Sequence, residues 1–475
     1  MEQTYLAALI QTLNQEERSA LELFLQSVYF NGGVNRERIC LLYGELIASD
    51  RDSLNKEAIF SLVFPDTPWV AGKLDKLMSE LSGYIRQFLL TRYYLDEKKA
   101  FRQSLDWAII IRERGLHNRY AQNLSKAENL LQQGALESTD YYFNQFQLAW
   151  EKFNVESIYN RIKGDLYIPE AISSLDACFL AYRLELQNLL LLQQKLTRLE
   201  LPQHLTLNYP EFIHKDTWEG SILITVGTKI NEQLVAESPS VEAFKEILEL
   251  LQTHDSQIAP VPLQNFYAYL RNLCILLIQQ GQVSFTPLLH EIQKDNLQRG
   301  YLFLHGKLSP SAYMSVARTA IRVGKSDWAL EFIESYKDLI LSEEDPENFY
   351  LFNKAECLFA IGRYEEALEV LPQSFTDLIY LTNCKRLEIK LYYEMQSDLL
   401  NYKLDALKMF ISRASKKVIT DYVREMEGNF VNILLQIVQC PPGDSKKIER
   451  IIQRIHDKKI IGDREWLLEK VQQLR

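Results

Sequence analysis

Glycine and proline are scarce: 18 and 14 among 475 residues, about 7% together where average usage is roughly 12%. Sheet-rich folds need many turns, and so many of these residues. Their scarcity argues against a sandwich or barrel and for long helices with short connections. Long apolar runs are also missing. Stretches such as Leu273 to Ile278 and Leu189 to Leu192 fall far short of the ~20 residues that span a bilayer, so no membrane insertion is expected. The N-terminus, MEQTYLAALIQTLNQEE, has a short apolar stretch preceded by an acid and no basic residue. That is no signal peptide, and the chain is read as cytoplasmic. An excess of positive charge is absent as well. The net charge of −10 excludes whole-surface attraction to nucleic acid, which needs Lys and Arg in excess.

Chemical motifs are missing in the same way. The six cysteines, Cys40, Cys178, Cys274, Cys357, Cys384 and Cys440, contain no C-x-x-C pair. Most sit in apolar helical context, so they are read as buried free thiols in a reducing compartment. The seven histidines, His117, His204, His214, His254, His290, His305 and His456, include no pair at the i, i+4 spacing of a metal site. There is no G-x-S-x-G elbow and no glycine-rich dinucleotide loop. No catalytic, cofactor-binding or metal-ligating residue is singled out, and no cofactor is expected.

What is present is helical periodicity. Leu, Glu, Gln, Lys and Arg, all good helix formers, fill the space between breakers, and the length allows roughly three domains. Residues 1–105 are expected to form an N-terminal helical domain. Asn14 and Glu17 make a capping box, and Leu21, Phe24, Leu25 and Val28 follow at helical spacing up to Gly32-Gly33. Asn35 is the expected cap of a second helix carrying Ile39, Leu42 and Leu46. A short helix with Ile59, Phe60 and Val63 stops at Phe64-Pro65-Asp66-Thr67-Pro68. A long helix then carries Leu74, Leu77, Met78, Leu81, Ile85, Phe88 and Leu89.

Residues 106–260 form a Leu-rich helical middle region. Phe179 to Leu199 is apolar nearly all round, as in a helix covered by neighbours. Ile222-Leu223-Ile224-Thr225-Val226 is the best strand candidate, but it is isolated and is read as helix. Residues 261–440 are expected to be helical hairpins, with helix starts at Thr286-Pro287, Ser309-Pro310 and Asp345-Pro346. An internal repeat carries this reading. YMSVARTAIRVGKSDWALEFIESYKDLI (313–340) and LFNKAECLFAIGRYEEALEVL (351–371) each place an alanine (Ala317, Ala355), a turn glycine seven residues on (Gly324, Gly362) and a second alanine five further (Ala329, Ala367). Small residues let paired helices approach, and glycine permits the turn. Gly281 marks a more decayed unit, and Tyr392-Tyr393 to Ile411 is a hairpin without the glycine. Residues 441–475 are a C-terminal amphipathic capping helix.

These two units resemble tetratricopeptide repeats, and GRYEEALEVL is a close match to that turn and second helix. The spacing departs from the pattern, 38 residues between glycines against the usual 34, and Pro372 shortens the second helix. The fold class implied is all-α: stacked helical hairpins, a tetratricopeptide-like α-solenoid, behind an N-terminal helical domain. The whole chain also resembles a family of uncharacterised bacterial all-helical proteins of similar length, through FLQSVYFN (24–31), EAIFSLVFPDTP (57–68), KLMSEL (76–81) and SDWALEFIESYKDLI (326–340). That resemblance implies architecture and no activity.

Four features invite chemical readings, and each has a plainer one. Gly324-Lys325-Ser326 ends like a phosphate-binding loop, but Thr319 stands where the motif needs glycine and both flanks are helical, so it is a repeat turn. His290-Glu291 starts like a zinc-protease helix, but Lys294 replaces the second histidine. Glu343-Glu344-Asp345 suits a helix start better than a catalytic pair. The 25 Tyr and 22 Phe fall mostly on apolar faces and belong to the core. The N-terminal helices around FPDTP could form a helix-turn-helix-like unit, yet residues 1–110 hold 12 basic and 15 acidic residues, the wrong balance for reading DNA. Residues 401–475, with 15 basic and 10 acidic, are the basic region. There Ile448, Ile451, Ile452 and Ile455 form one face, and Lys446, Lys447, Arg450, Arg454 and Lys458 lie elsewhere. The expected function is non-enzymatic binding of a peptide or partner helix. The alternatives are a DNA-binding regulator with a helical-repeat sensor, and an enzyme whose site no motif reveals.

Overall fold

The computed structural model of the chain describes residues 4–48, 56–133, 136–159, 167–197, 218, 220–414 and 421–475. The fold is all-α, with twenty-two α-helices and one two-stranded sheet among the described residues. The chain divides into two compact units, Met1–Cys178 and Phe179–Arg475.

The first unit opens with α1 (Tyr5–Gln11), α2 (Gln15–Gln26), α3 (Arg36–Ala48), α4 (Lys56–Val63) and α5 (Lys73–Leu95). The capping box at α2 is present: Asn14 Oδ1 accepts from the Glu17 amide at 2.9 Å, and Glu17 Oε2 accepts from the Asn14 amide at 3.0 Å. The apolar face of α5, with Leu74, Leu77, Met78, Leu81, Ile85 and Phe88 buried, packs against α1, α2 and α3. Leu21, Leu25, Ile39, Leu42, Tyr43 and Phe60 complete this core. Then follow α6 (Ala100–Glu113), α7 (His117–Gln133) and α8 (Thr139–Tyr159), and the boundary between the units falls within α9 (Ile168–Thr197). Helices α6 and α7 form a hairpin with its own small core of Leu105, Ala108, Ile111, Tyr120 and Leu124.

The second unit is a run of helical hairpins. It contains α10 (Ile222–Val235), α11 (Val241–His254), α12 (Pro260–Gln279), α13 (Thr286–Gln298), α14 (Pro310–Arg322), α15 (Ser326–Tyr336), α16 (Pro346–Ala360), α17 (Tyr364–Val370), α18 (Leu378–Glu394), α19 (Leu400–Arg413), α20 (Asp421–Val438), α21 (Ser445–Asp457) and α22 (Arg464–Gln472). Each second helix packs on its own first helix and on the first helix of the next hairpin. First helices also touch directly, α10 with α12, α14 with α16 and α16 with α18. Ala317, Ala329, Ala355 and Ala367 are all fully buried in these contacts. Between α13 and α14, β1 (Phe303–Leu304) and β2 (Lys307–Leu308) form an antiparallel hairpin, Phe303 opposite Leu308. Its two-residue turn, His305 and Gly306, has positive φ at both positions, the geometry that matches strand twist. Two-residue strands leave no periodicity to read in the sequence.

The hairpin turns share one construction. Gly324 and Gly362 take the left-handed conformation, with φ of 75° and 79°. The next residue donates its amide back to the carbonyl five residues earlier, Lys325 to Ala320 and Arg363 to Leu358, each at 2.9 Å. This satisfies carbonyls that the helix end leaves open. The hairpin without glycine uses the same turn: Gln396 stands at φ 52° and Ser397 donates to Tyr392 O at 2.9 Å. Gln396 follows Gly362 by 34 residues.

Several local expectations are corrected. Helix α2 ends at Gln26, before Val28, because the buried Asn31 side chain donates to Leu25 O at 2.9 Å and closes the helix early. Asn35 does not cap α3 with its side chain; its amide meets Arg38 and Glu80 instead. Thr286 lies inside α13 rather than capping it, its hydroxyl donating to Val283 O at 2.8 Å. Asp345 precedes α16 in a left-handed conformation, and its carboxylate turns to the Thr376 amide at 2.7 Å. Ser309 does cap α14, accepting from Ala312 N at 3.2 Å. The strand-like run 222–226 is helical. Helix α9 is not covered all round: Leu180, Leu184 and Leu191 are buried, but Phe179, Tyr182, Leu186 and Leu189 are exposed among the described residues.

Candidate functional site

Six residues before the left-handed turn residue, successive first helices carry a charge: Arg318 on α14, Glu356 on α16, Lys390 on α18. Arg318 and Glu356 meet across the stack, and Lys390 reaches Asp463. Arg318 grips Glu356 with both arms, Nη2 to Oε1 at 2.6 Å and Nε to Oε2 at 2.7 Å, the strong fork geometry of guanidinium and carboxylate. Its guanidinium lies 5.7 Å from the centre of the Phe352 ring. The Arg318 side chain stays about one-third exposed (32%), so this pair is reachable from solvent.

On α18 the row becomes a cluster. Arg386 donates to Asp463 Oδ2 at 2.7 Å, to Glu427 Oε1 on α20 and to Asn383 Oδ1 at 2.9 Å. Lys390 donates to Asp463 Oδ1 at 3.0 Å, and its ammonium lies over the rings of Phe359 and Trp466, at 4.6 and 5.5 Å. Asp463 is delivered by the loop before α22. It stands at φ 47°, a conformation an L-residue holds only when its surroundings over-determine it. Asn429 fastens that loop by donating to Ile460 O at 2.7 Å. Gly462 lets the backbone lie against Arg386, whose Cδ would stand 3.3 Å from any added Cβ. Beyond the cluster, Lys470 pairs with Glu394 at 2.8 Å, and the Trp466 indole donates to the same carboxylate at 2.7 Å.

The two carboxylates on Arg386 differ in character. Burial pushes the Glu427 carboxyl up to about 7, against the pull of Arg386 and with Asp463 pushing further. Its Oε2 finds no hydrogen-bond partner. For Asp463 burial opposes ionisation, but Lys390 and Arg386 outweigh it and hold the carboxyl below its usual range. Two carboxylates with separated proton affinities are a common acid–base signature. The Glu427 side chain, however, is 0% exposed, so no substrate atom reaches it. The chemistry available at the surface is charge pairing.

The residues weighed from sequence lie elsewhere. Gly324-Lys325-Ser326 forms the α14–α15 turn, and Lys325 pairs with Glu291 at 3.1 Å. His290 is buried edge-on against Trp328, 4.9 Å between ring centres. His204 and His214 lie outside the described residues, among which no three of His, Cys, Asp and Glu gather to hold a metal. The cysteines are free; Cys40 is half-buried and the others are buried. Burial raises the Cys274 and Cys384 thiols to about 12, far from nucleophilic. In the first unit the FPDTP turn separates α4 from α5, but the outer face of α5 mixes Asp75, Lys76, Glu80 and Arg86. Lys56 pairs with Asp75 at 2.7 Å, and Arg92 with Glu16 at 3.0 Å. No uniformly basic face arises there. On α21, Ile448, Ile451 and Ile455 are buried and the basic residues are exposed.

The sequence did not single out Arg386, Glu427 or Asp463. The readable signal was a charge six residues before Gly324, Gly362 and Gln396, which leads to Arg318, Glu356 and Lys390, hidden because Gln396 does not look like a turn residue. No helix among the described residues is long and apolar enough to cross a membrane. Comparison with models of protein families and with curated proteins finds no match.

Proposed function

We propose that the chain is a non-enzymatic interaction protein of the cytoplasm that binds an extended peptide or partner helix across the first helices of its C-terminal hairpins. The observation that supports this reading is the row Arg318–Glu356, then Arg386 and Lys390 with Asp463. Ions sit at matching places on successive helices, partly open to solvent. Burying ion pairs gives little net stability compared with apolar packing. Charges arranged in a row, by contrast, select partners and fix their register. Stacked hairpins present long surfaces of this kind, and helix-lined grooves hold peptides and helices. The likeness of GRYEEALEVL to tetratricopeptide repeats supports the same class of role.

The test is site-specific photo-crosslinking in the native cell. The exposed positions Arg322 and Ala360 follow Arg318 and Glu356 by one helical turn. A crosslinker at either site should capture one defined protein, and Arg322→Glu should abolish the capture from position 360. A crosslinker at Asn401, exposed on a second helix, serves as control. Equal capture from 401, or none from 322 and 360, would contradict the proposal.

A further inference from the structure

Arg271 lies on α12, ten residues before the turn glycine Gly281, the place Arg386 holds before Gln396. Arg386 has two carboxylates; Arg271 has none among the described residues. Its guanidinium is partly buried and donates through Nη1 to the neutral Asn296 Oδ1 on α13. Among the described residues no carboxylate comes within ion-pair distance of it. Asn296 in turn donates through Nδ2 to Asp295 Oδ2 at 3.4 Å, and Asp295 is paired with Arg299 at 3.0 Å. Gln293, one turn before Asn296, is buried on the same side of α13, and its Nε2 donates to Ser315 Oγ of α14 at 3.0 Å. Gln293 Oε1 has no hydrogen-bond partner among the described residues. Arg271 thus has a neutral amide as its hydrogen-bond partner and no paired counter-charge among the described residues. Burial lowers the Arg271 pKa to about 10, so the group stays charged at neutral pH.

A partly buried cation without a counter-ion is costly, whereas every other ion in the row is matched. We propose that Arg271 anchors an anion site that receives a carboxylate of the bound peptide, extending the row to α12. This rests on the peptide-binding reading above. A single cation with neutral amides balances a monoanion, and the guanidinium fork suits a carboxylate. A phosphate dianion would leave excess negative charge.

The experiment compares the full chain with Arg271→Met, which keeps most of the side-chain stem and removes the charge. Four probes are titrated: glutarate, inorganic phosphate, a blocked peptide of alternating Glu and Ala, and an acetylated Ala peptide with a free C-terminal carboxylate. Without probe, Arg271→Met should melt at or above the parent temperature, because an unmatched charge has gone. At least one carboxylate peptide should bind the parent, and the variant should bind it about tenfold or more weakly. A variant that melts well below the parent shows a structural arginine and overturns the proposal. So do equal peptide binding by both proteins, which leaves the peptide-binding reading intact, and an absence of binding by any probe. Arg271-dependent binding of glutarate alone upholds the anion site and overturns its assignment to a peptide. Binding of phosphate alone overturns the carboxylate.

Discussion

Gln396 occupies the left-handed position that Gly324 and Gly362 fill in the two preceding hairpins. An L-residue there carries roughly 1–2 kcal/mol of backbone strain that glycine avoids. Gln396→Gly should therefore stabilise the protein by about 1 kcal/mol, and Gly362→Ala should destabilise it by a similar amount. No atom lies within 4 Å of the added Cβ at Gly362, so strain alone acts. Chemical denaturation checks both signs. Ala329 and Ala367 meet the opposite limit: both are completely buried, and leucine in either place should overpack the hairpin at about 1–3 kcal/mol. Variants that unfold with the parent would refute that packing. Glu427 supplies a pH dependence. Its folded carboxyl titrates near 7, above the ~4.3 of an unfolded glutamate. The folded state thus holds the proton more tightly. This contribution to stability is complete below about pH 4.3 and is lost as pH rises through about 7. Asp463 runs the other way, its contribution present above the ordinary carboxylate range and lost as pH falls through its depressed value. Melting temperatures measured between about pH 5 and 8 should show a downward component that Glu427→Gln lacks; identical slopes would exclude it.

At the scale of elements, the C-terminal pair α21 and α22 closes the last hairpin. Ile448, Ile451 and Ile455 of α21 join Trp466, Leu467 and Val471 of α22 against Phe430, Leu434 and Leu404. Each such side chain is worth roughly 1.5–3 kcal/mol when fully buried. Removing 444–475 should lower the melting temperature and promote aggregation by exposing that face. A truncated protein that stays monomeric and melts with the parent would rule out the capping role. Helices of this kind were legible because their apolar residues repeat at 3.6. Their exact ends were less so. Asp345 and Asn35 each have a capping side chain, but each found a tertiary partner that competed with the local amide, whereas the Thr286 hydroxyl bonds the nearby Val283 carbonyl. The 303–308 hairpin was too short to leave a pattern.

At the scale of the whole molecule, scarcity of glycine and proline correctly indicated an all-α chain. Far-ultraviolet circular dichroism should show a helix spectrum with no visible sheet contribution, since the described sheet holds four residues. A sheet-type spectrum would contradict the fold. The ion row was not legible, for a physical reason. Its members come from four helices and a loop, and residues as distant as Arg386 and Asp463, 77 apart in sequence, meet only through the stacking of hairpins. Each taken singly is an ordinary charge in an amphipathic helix. Periodicity reports which face of a helix is buried; it does not report which helix will lie opposite.

The order in which the row's members are synthesised follows from the same distances. Arg318 finds Glu356 38 residues downstream, so their pair can close while much of the chain is still unmade. Arg386 waits 41 residues for Glu427 and 77 for Asp463, and Lys390 waits 73. Domains fold as they emerge, N-terminal parts first. The hairpin of α18 and α19 therefore leaves the ribosome with its cations still in water, and its ion cluster completes only when Asp463 has emerged. A premature stop after residue 462 would release a chain in which Arg386 keeps Glu427 and Lys390 loses the carboxylate it pairs with. The charge balance of α18 thus reports whether synthesis has passed Asp463.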